Sequence, residues 1–222
     1  MSGPVTQPHV EYELRYLRPA RFEVPPQLAG LRLTSVDRRV HRDHYFDGVK
    51  DGRAVLRSAK KSLRVRFPAD GEAVATYKER LKGAQPECGT VRVETEAALH
   101  GPAASPALIA VAVNRVDHPA FNAARAAAGE DVTLVELFTV TNDRRNHHFR
   151  GENGDHVILS EDHITYPDGS HEQRIEVELG RGEPALLGRI DVQLRDMSPQ
   201  LTVAPRGKAS EARRRTAVLL GL

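Results

Sequence analysis

Glu11-Tyr12-Glu13-Leu14-Arg15-Tyr16 alternates charged and apolar residues without a break. Successive side chains of a strand point to opposite faces, so Glu11, Glu13 and Arg15 share one face and Tyr12, Leu14 and Tyr16 the other. Three further segments are sorted in the same way. Leu63-Arg64-Val65-Arg66-Phe67 sets two guanidiniums on one face, Val91-Arg92-Val93-Glu94 continues the pattern to Glu96, and Arg174-Ile175-Glu176-Val177-Glu178-Leu179 sets one arginine beside two carboxylates. Lys78 likewise follows Thr76 across Tyr77. The solvated face of an ordinary antiparallel sheet carries mixed small polar residues and lysines, whereas these faces carry paired carboxylates and paired guanidiniums. Carboxylates two residues apart on one face repel unless a cation lies between them, and paired arginines repel unless an anion does. The pattern predicts one site that takes a metal and a polyanion together. With the apolar faces packed outward against helices, the charged faces converge inside a sheet that closes on itself, and a polar-lined barrel is the simplest architecture that achieves this.

Outward from these segments, period-two alternation predicts strands at about 10–16, 36–46, 54–57, 62–67, 73–79, 91–97, 134–148, 155–164 and 172–180, some of which merge. Asp70-Gly71 and Asp168-Gly169 lie between alternating runs, where residues tolerant of positive φ suit tight hairpins, so the neighbours there are antiparallel. Between Gly101 and Glu130 the pattern is helical, with Ser105 as N-cap before Pro106 and a second short helix after His118-Pro119. Two more helices are expected at 184–197 and at 210–220, the latter capped by Ser210. The fold class is α+β: an antiparallel eight-stranded barrel, closed or nearly closed, with helices packed outside. Neither an internal repeat nor a low-complexity linker interrupts the chain, which predicts a single domain over 1–222.

With 222 residues, 40% of them hydrophobic and 28% charged, the chain has the material for a core and does not read as a disordered polyelectrolyte. Lys+Arg 32 against Asp+Glu 30 leaves a net charge of +2, so a generic polycation is excluded and no specific nucleic-acid partner is expected. One cysteine, Cys88, cannot form an intramolecular disulfide, and the first ten residues lack an apolar signal region, which predicts a reducing, cytoplasmic location. No run approaches the roughly 18 apolar residues of a membrane-spanning helix.

Taken in order, these strings resemble the CYTH, or triphosphate tunnel metalloenzyme, superfamily. The opening E-x-E-x-K of the family is met by EYELR, its Y-[YF]-D strand by Tyr45, Phe46 and Asp47, its L-R-x-R by Leu63 to Arg66, and its lysine strand by Lys78. Arg92, Glu94 and Glu96 match an R-x-E-x-E strand. LFTVTNDRR resembles the strand that ends in a phosphate-binding arginine, Arg144 with Arg145 as the other register; VILSED places Asp162, IEVEL places Glu176 and Glu178, and RGKAS places Lys208. SPALIAVAV, LFTV and EPALLGRI look most like the inorganic triphosphatase branch. Arg15 stands where the family has lysine, Gly48 where threonine is common, Gly207 where serine precedes the terminal lysine, and Arg174 at a position that is often acidic.

The resemblance implies a tunnel that holds a triphosphate by basic side chains and Mg²⁺ or Mn²⁺ by carboxylates. Its phosphate clamp is Arg64, Arg66, Lys78, Arg92, Arg144 and Lys208. Its metal ligands are Glu11, Glu13, Asp162, Glu176 and Glu178, direct or through water, with Glu94 and Glu96 completing the acidic ring. Glu13, Arg15 and Glu178 stand at the reacting end. Hard divalent ions prefer oxygen ligands and bridge phosphate oxygens, while cationic forks neutralise the transferred phosphoryl group. The implied function is a divalent-metal-dependent hydrolase that releases terminal phosphate from inorganic triphosphate or a small organic triphosphate. A class IV adenylate cyclase-like enzyme acting on ATP and a non-catalytic polyphosphate- or nucleotide-binding module are the alternatives, and monomer and homodimer both stay open.

Other features carry no such chemistry. His147 and His148 are adjacent, so on a strand they face opposite ways and cannot chelate one ion; His41 and His44 also differ in parity. Cys88 reads as an inert surface thiol, and Arg213 to Arg215 as a solvated helix face. There is no Walker loop and no G-x-G-x-x-G. Crowding of like charge in the clamp predicts that removing one guanidinium, such as Arg66, relieves repulsion in the empty protein.

Overall fold

A computed structural model describes residues 8–81 and 89–219; Cys88 lies outside them. Eight long strands carry the architecture: β1 (His9–Leu17), β2 (Leu31–Lys50), β3 (Lys61–Pro68), β4 (Val74–Arg80), β5 (Thr90–Ala98), β6 (Leu134–Arg150), β7 (His156–Thr165) and β8 (His171–Arg181). Every pairing is antiparallel, in the order β8-β7-β6-β2-β3-β4-β5-β1, and β1 pairs back onto β8 so that the sheet closes. Two of the turns follow the expected chemistry, with Gly71 at φ 113° before β4 and Gly169 at φ 78° before β8. Five helices lie outside the barrel: α1 (Val55–Ser58), α2 (Ile109–Arg115), α3 (Pro119–Ala128), α4 (Ala185–Met197) and α5 (Lys208–Leu219).

The alternation read from the sequence decides what each face meets. Leu63, Val65, Ala75 and Tyr77 face outward and pack with Ile109, Val113, Phe121 and Ala124 of α2 and α3. On the other side Leu14, Tyr16, Ile175, Val177 and Leu159 lie beneath Leu186, Leu187, Ile190 and Leu194 of α4. Ile190 is fully buried, and its truncation to alanine costs about 2–5 kcal/mol. A third cluster joins Tyr45, Phe138, Val140, Ile164 and Tyr166 to Ala212 of α5. These residues stand in the lumen-facing series of their strands, so α5 closes one mouth of the barrel.

Three local expectations give way. Of residues 54–57 only Ala54 is in a strand, the two-residue Arg53–Ala54; Val55–Ser58 is a helical turn, because the Asp47 carboxylate accepts the Leu56 amide at 2.7 Å and the Arg57 amide at 3.1 Å. Ser105 does not cap a helix, since Gly101–Ala104 is a 3₁₀ turn and α2 begins after Leu108. Ser210 lies inside α5, which starts two residues earlier at Lys208. The two-residue advance has a tertiary cause: Lys208 is drawn to Asp162 and Glu176 across the barrel.

Candidate functional site

The barrel encloses a cavity of about 710 Å³ lined mostly by charged side chains. Closure of β1 on β8 puts Glu13 directly opposite Glu178 and Arg15 opposite Glu176. On the other edge of β1, Glu11 faces Arg92 of β5. Glu94 then pairs with Lys78, and Glu96 with Thr76, on β4. Of the residues expected at the site, Glu11, Glu13, Arg15, Arg64, Arg66, Lys78, Arg92, Glu94, Glu96, Arg144, Glu176, Glu178 and Lys208 all line this one cavity.

Asp162 does not reach the lining. It is fully buried behind the clamp, where Arg144 Nε and Nη2 donate to its two oxygens at 2.6 and 2.7 Å. Lys208 Nζ adds a third contact at 2.6 Å and Asn142 a fourth at 2.9 Å. Burial alone would push its carboxyl up, but Arg144 and Lys208 hold it well below the usual range. Glu176 shares both cations, at 2.5 Å from Arg144 and 2.6 Å from Lys208. Against the opposing effect of burial they lower it to about 2. Asp162 and Glu176 thus anchor Arg144 and Lys208 in this arrangement.

The opposite electrostatics hold around Glu13. Burial, then the neighbouring Glu176 and Glu11, push its carboxyl up to about 7, and Arg15 and Arg92 only partly compensate. Burial also raises Glu11, and Glu178 is raised by burial and by Glu11. Lys78 lies between Glu11, at 3.1 Å, and Glu94. As the side chains stand, no three carboxylates or imidazoles converge on one point among the described residues. Their chemistry nevertheless fits a divalent cation, since the donors are all carboxylate oxygens, they repel one another, and ammonium groups already bridge two of the carboxylate pairs. Glu11, Glu13, Glu176 and Glu178 are the residues that would hold such an ion.

Arg64 reaches Thr76 Oγ1 at 3.2 Å, and that hydroxyl donates to Glu96 at 2.8 Å. Glu96 therefore stands with the clamp, not with the carboxylates around Glu13. Arg15 Nε lies 3.6 Å from Glu13.

Several functional neighbours escape the sequence reading. Asp43, 1% exposed, accepts both arms of the Arg66 fork at 2.8 and 2.9 Å, and Arg66 with Arg64 overcomes burial to hold it far below the usual range. His41, beside it, is kept neutral by burial and by Arg66, with its pKa lowered to about 3. Arg174 is 1% exposed and outside the lining; its Nη1 donates to the Arg206 carbonyl at 2.7 Å and its Nη2 to Tyr166 Oη at 3.0 Å, tying down the strap that delivers Lys208. The reading of Arg213 to Arg215 as a solvated face holds for Arg214, which is exposed, and is overturned for Arg213 and Arg215. Arg213 reaches Asp47 at 3.2 Å and lines the cavity, while Arg215 lies over the Tyr166 ring. The histidine parity argument stands: His147 meets Glu161 at 2.9 Å, and His148 meets Asp37 at 2.7 Å.

No helix among the described residues is long and apolar enough to cross a membrane. No curated protein matches the chain. Among solved structures, an adenylyl-cyclase candidate from Hippeastrum, described as revealing a dominant triphosphatase activity, is similar over 92% of this chain and 95% of its own at 18% identity, with a TM-score of 0.55. At that identity the likeness speaks for the fold. The CYTH domain family model matches residues 9–209, a span that holds every lining residue discussed above except Arg213. An antiparallel barrel closed on a charged lumen, with its sequence signature carried strand by strand, makes this chain a member of the CYTH domain family.

Proposed function

We propose that the protein is a divalent-metal-dependent triphosphate hydrolase that releases terminal phosphate from inorganic triphosphate or a small organic triphosphate. The observation that carries this reading is the division of one cavity into a carboxylate group with Glu13 raised to about 7 and a surrounding set of fixed cations. Mg²⁺ or Mn²⁺, when bound at Glu11, Glu13, Glu176 and Glu178, supplies Lewis-acid stabilisation of phosphate oxygens and lowers the pKa of water.

The chain's own residues do the rest. Arg64, Arg66, Lys78, Arg92, Arg144 and Lys208 bind the phosphate oxygens and orient the anhydride, and carboxylates paired with Arg66, Lys78, Arg144 and Lys208 hold these four in place before substrate arrives, so little reorganisation is left for the transition state. In the reaction the water oxygen bonds to the terminal phosphorus, the bridging P–O bond breaks, and its electron pair stays with the departing diphosphate. Arg15 is protonated at every working pH and accepts no proton; it steadies Glu13 or a phosphate oxygen. The acceptors for the water proton are the lumen carboxylates. Asp162 serves behind the clamp, positioning Arg144 and Lys208.

Among the described lining residues the only aromatic rings are Tyr45 and the imidazole of His9, which favours a ligand charged along its whole length over one carrying a base. The test is a panel of inorganic triphosphate and nucleoside triphosphates with Mg²⁺ or Mn²⁺, with products separated. The hydrolase reading expects phosphate and diphosphate from inorganic triphosphate, and nucleoside diphosphate from any nucleotide that reacts. Cyclic nucleotide with diphosphate would favour the cyclase alternative, and tight binding without turnover the binding module.

A further inference from the structure

A second group of polar side chains runs from strand to strand outside the cavity. Asn146 and His148 continue the series of Arg144 along β6, Ser160 and His156 that of Asp162 along β7, and Asp37 that of Asp43 along β2, so all five share one face of the sheet. None of them lines the cavity. Ser160 Oγ donates to Asn146 Oδ1 at 2.9 Å, and Asn146 Nδ2 donates to Asp37 Oδ1 at 3.0 Å. Arg39 Nε meets the same oxygen at 3.0 Å. Against burial, bonds from His148 and Asn146 hold the Asp37 carboxyl below its usual range, and a carboxylate only accepts. His148 Nε2 therefore donates to Asp37 Oδ2, at 2.7 Å. A neutral His148 keeps its proton there and turns a bare Nδ1 toward His156.

The series ends on two nitrogens that face each other. His148 Nδ1 and His156 Nε2 are 3.3 Å apart, and the rings are parallel to within 9° with centroids 5.6 Å apart, so they meet edge to edge. That gap is long for a hydrogen bond, which spans about 2.7–3.2 Å. Two imidazole nitrogens bound to one tetrahedral ion at about 2.0–2.1 Å each stand about 3.3–3.4 Å apart. The gap thus has the width an ion needs, and a swing of each ring brings both lone pairs onto it. Burial, then Arg150 and His148, lower the pKa of His156, which leaves it in the neutral form that metals take. Its ring is seated on Gly180, where a β-carbon would stand 2.8 Å from Nδ1, so Nε2 is the nitrogen left for a ligand. A carboxylate behind the other nitrogen, as Asp37 stands behind His148, is the usual partner of a metal-bound histidine. The His148 side chain is 18% exposed and that of Asp37 34%, so solvent reaches the gap.

We propose that His148 and His156 form a binding site for a borderline divalent cation, Zn²⁺ before others, with Asp37 as its positioning residue. Imidazole suits Zn²⁺, Cu²⁺ and Ni²⁺, whereas carboxylates suit Mg²⁺ and Mn²⁺, so this site and the lumen select different ions. Two imidazoles supply it and water fills the other positions, since no third imidazole or carboxylate converges there among the described residues. Over residues 34–39, β2 pairs with β6 and, among the described residues, with no strand on its other edge. An ion held by His148, with Asp37 behind it, fastens that overhang to β7. The site does not depend on the hydrolase reading.

The experiment titrates wild type, His148→Gln, His156→Gln, the double variant, Asp37→Asn and the exposed His163→Gln with Zn²⁺ by calorimetry, in excess Mg²⁺ to occupy carboxylate oxygens. Wild type should take up one Zn²⁺ and melt at a higher temperature with it, because the ion binds the folded form. Asp37→Asn should weaken Zn²⁺ about tenfold and either single glutamine variant by more than that, while His163→Gln leaves it unchanged. Electron paramagnetic resonance of wild type with Cu²⁺ counts bound nitrogens without any substitution, and two imidazole nitrogens are expected. No Zn²⁺ uptake by wild type, uptake that survives in the double variant, or a Cu²⁺ spectrum without imidazole nitrogen would overturn the site and leave the gap an N–H···N contact. Phosphate release with Mg²⁺ should be the same in the glutamine variants as in wild type, so the site and the hydrolase reading stand or fall separately.

Discussion

Gly207 leaves the space that the guanidinium of Arg15 fills: a β-carbon on residue 207 would stand 2.6 Å from Arg15 Nη1. Two departures from the family pattern, arginine for lysine and glycine for serine, are thus one steric arrangement. The clash is with the far end of a flexible side chain, so a larger residue at 207 would push the fork away from Glu13 without unfolding the strap.

Gly207→Ser should accordingly lower kcat by about tenfold, the scale expected when a positioned charged group is misplaced, with little change in melting temperature. Arg15→Lys should keep measurable hydrolysis, and the double variant should recover much of what Gly207→Ser alone loses. A double-mutant cycle measures this coupling, and additive losses would show that the two positions act separately. The alkaline limb of kcat against pH should be the same in wild type and Arg15→Lys, while Arg15→Ala loses activity through poorer positioning. A new ionisation in the lysine variant would place residue 15 on the proton path.

The clamp prediction drawn from charge crowding reverses once Asp43 is seen. Deleting Arg66 leaves a buried carboxylate with Arg64 at 3.7 Å and the His41 imidazole at 3.8 Å. Arg66→Ala should therefore destabilise the empty protein by about 2–3 kcal/mol, because one partner of a buried pair is removed, besides weakening triphosphate binding. Denaturant unfolding checks it, and an unchanged or raised midpoint would contradict it.

In the metal-free protein, stability should fall as pH rises from about 5 to above 7. Glu13 has its folded pKa raised from 4.5 to about 7, so the folded state holds a proton that the unfolded chain has already released. The stabilisation is full below 4.5 and lost through 7, of order 1–3 kcal/mol. Glu13→Gln should flatten this limb in melting curves taken with chelator. At acid pH the depressed carboxylates act the other way: Asp43, Asp162 and Glu176 contribute stability above about 4 that is lost as they protonate.

Asp47 ties α1 to α5 by accepting two backbone amides of α1 and the Arg213 guanidinium. Asp47→Ala should cost about 1–3 kcal/mol, the range for losing a cap and leaving buried donors unpaired, and Asp47→Asn less. Thermal melts of the two variants test the order.

Parity along β1, β3, β5 and β8 made the lumen legible, because one face of each of these strands is filled with charge and the other with core residues. What it could not show is which charge satisfies which. Asp162 reads as one more lumen carboxylate, and only the long-range approach of Arg144 and Lys208 reveals it as their anchor. Asp43 and Asp47 were within reach, since by parity they share a face with Tyr45. Yet β2 runs for 20 residues with register shifts against β6 at Leu33/Ser35 and Tyr45/Phe46, and such a strand does not keep one face throughout. The helical turn at Val55 was invisible because its cap comes from eight residues upstream. Gly48, unexplained in sequence, is required by Val132: a β-carbon there would meet Val132 Cγ1 at 2.1 Å.

On the hydrolase reading, lumen carboxylates hold a divalent ion without which the clamped triphosphate is not cleaved. The direct measurement is phosphate release from inorganic triphosphate by exhaustively chelated protein, before and after Mg²⁺ or Mn²⁺ is restored, with Glu13→Gln and Glu178→Gln alongside. Activity should be absent after chelation, return with added ion, and stay nearly absent in both variants, because a misplaced ion cannot organise water and phosphate together. Turnover that survives chelation, or wild-type kinetics in either variant, would rule out a required ion at these carboxylates.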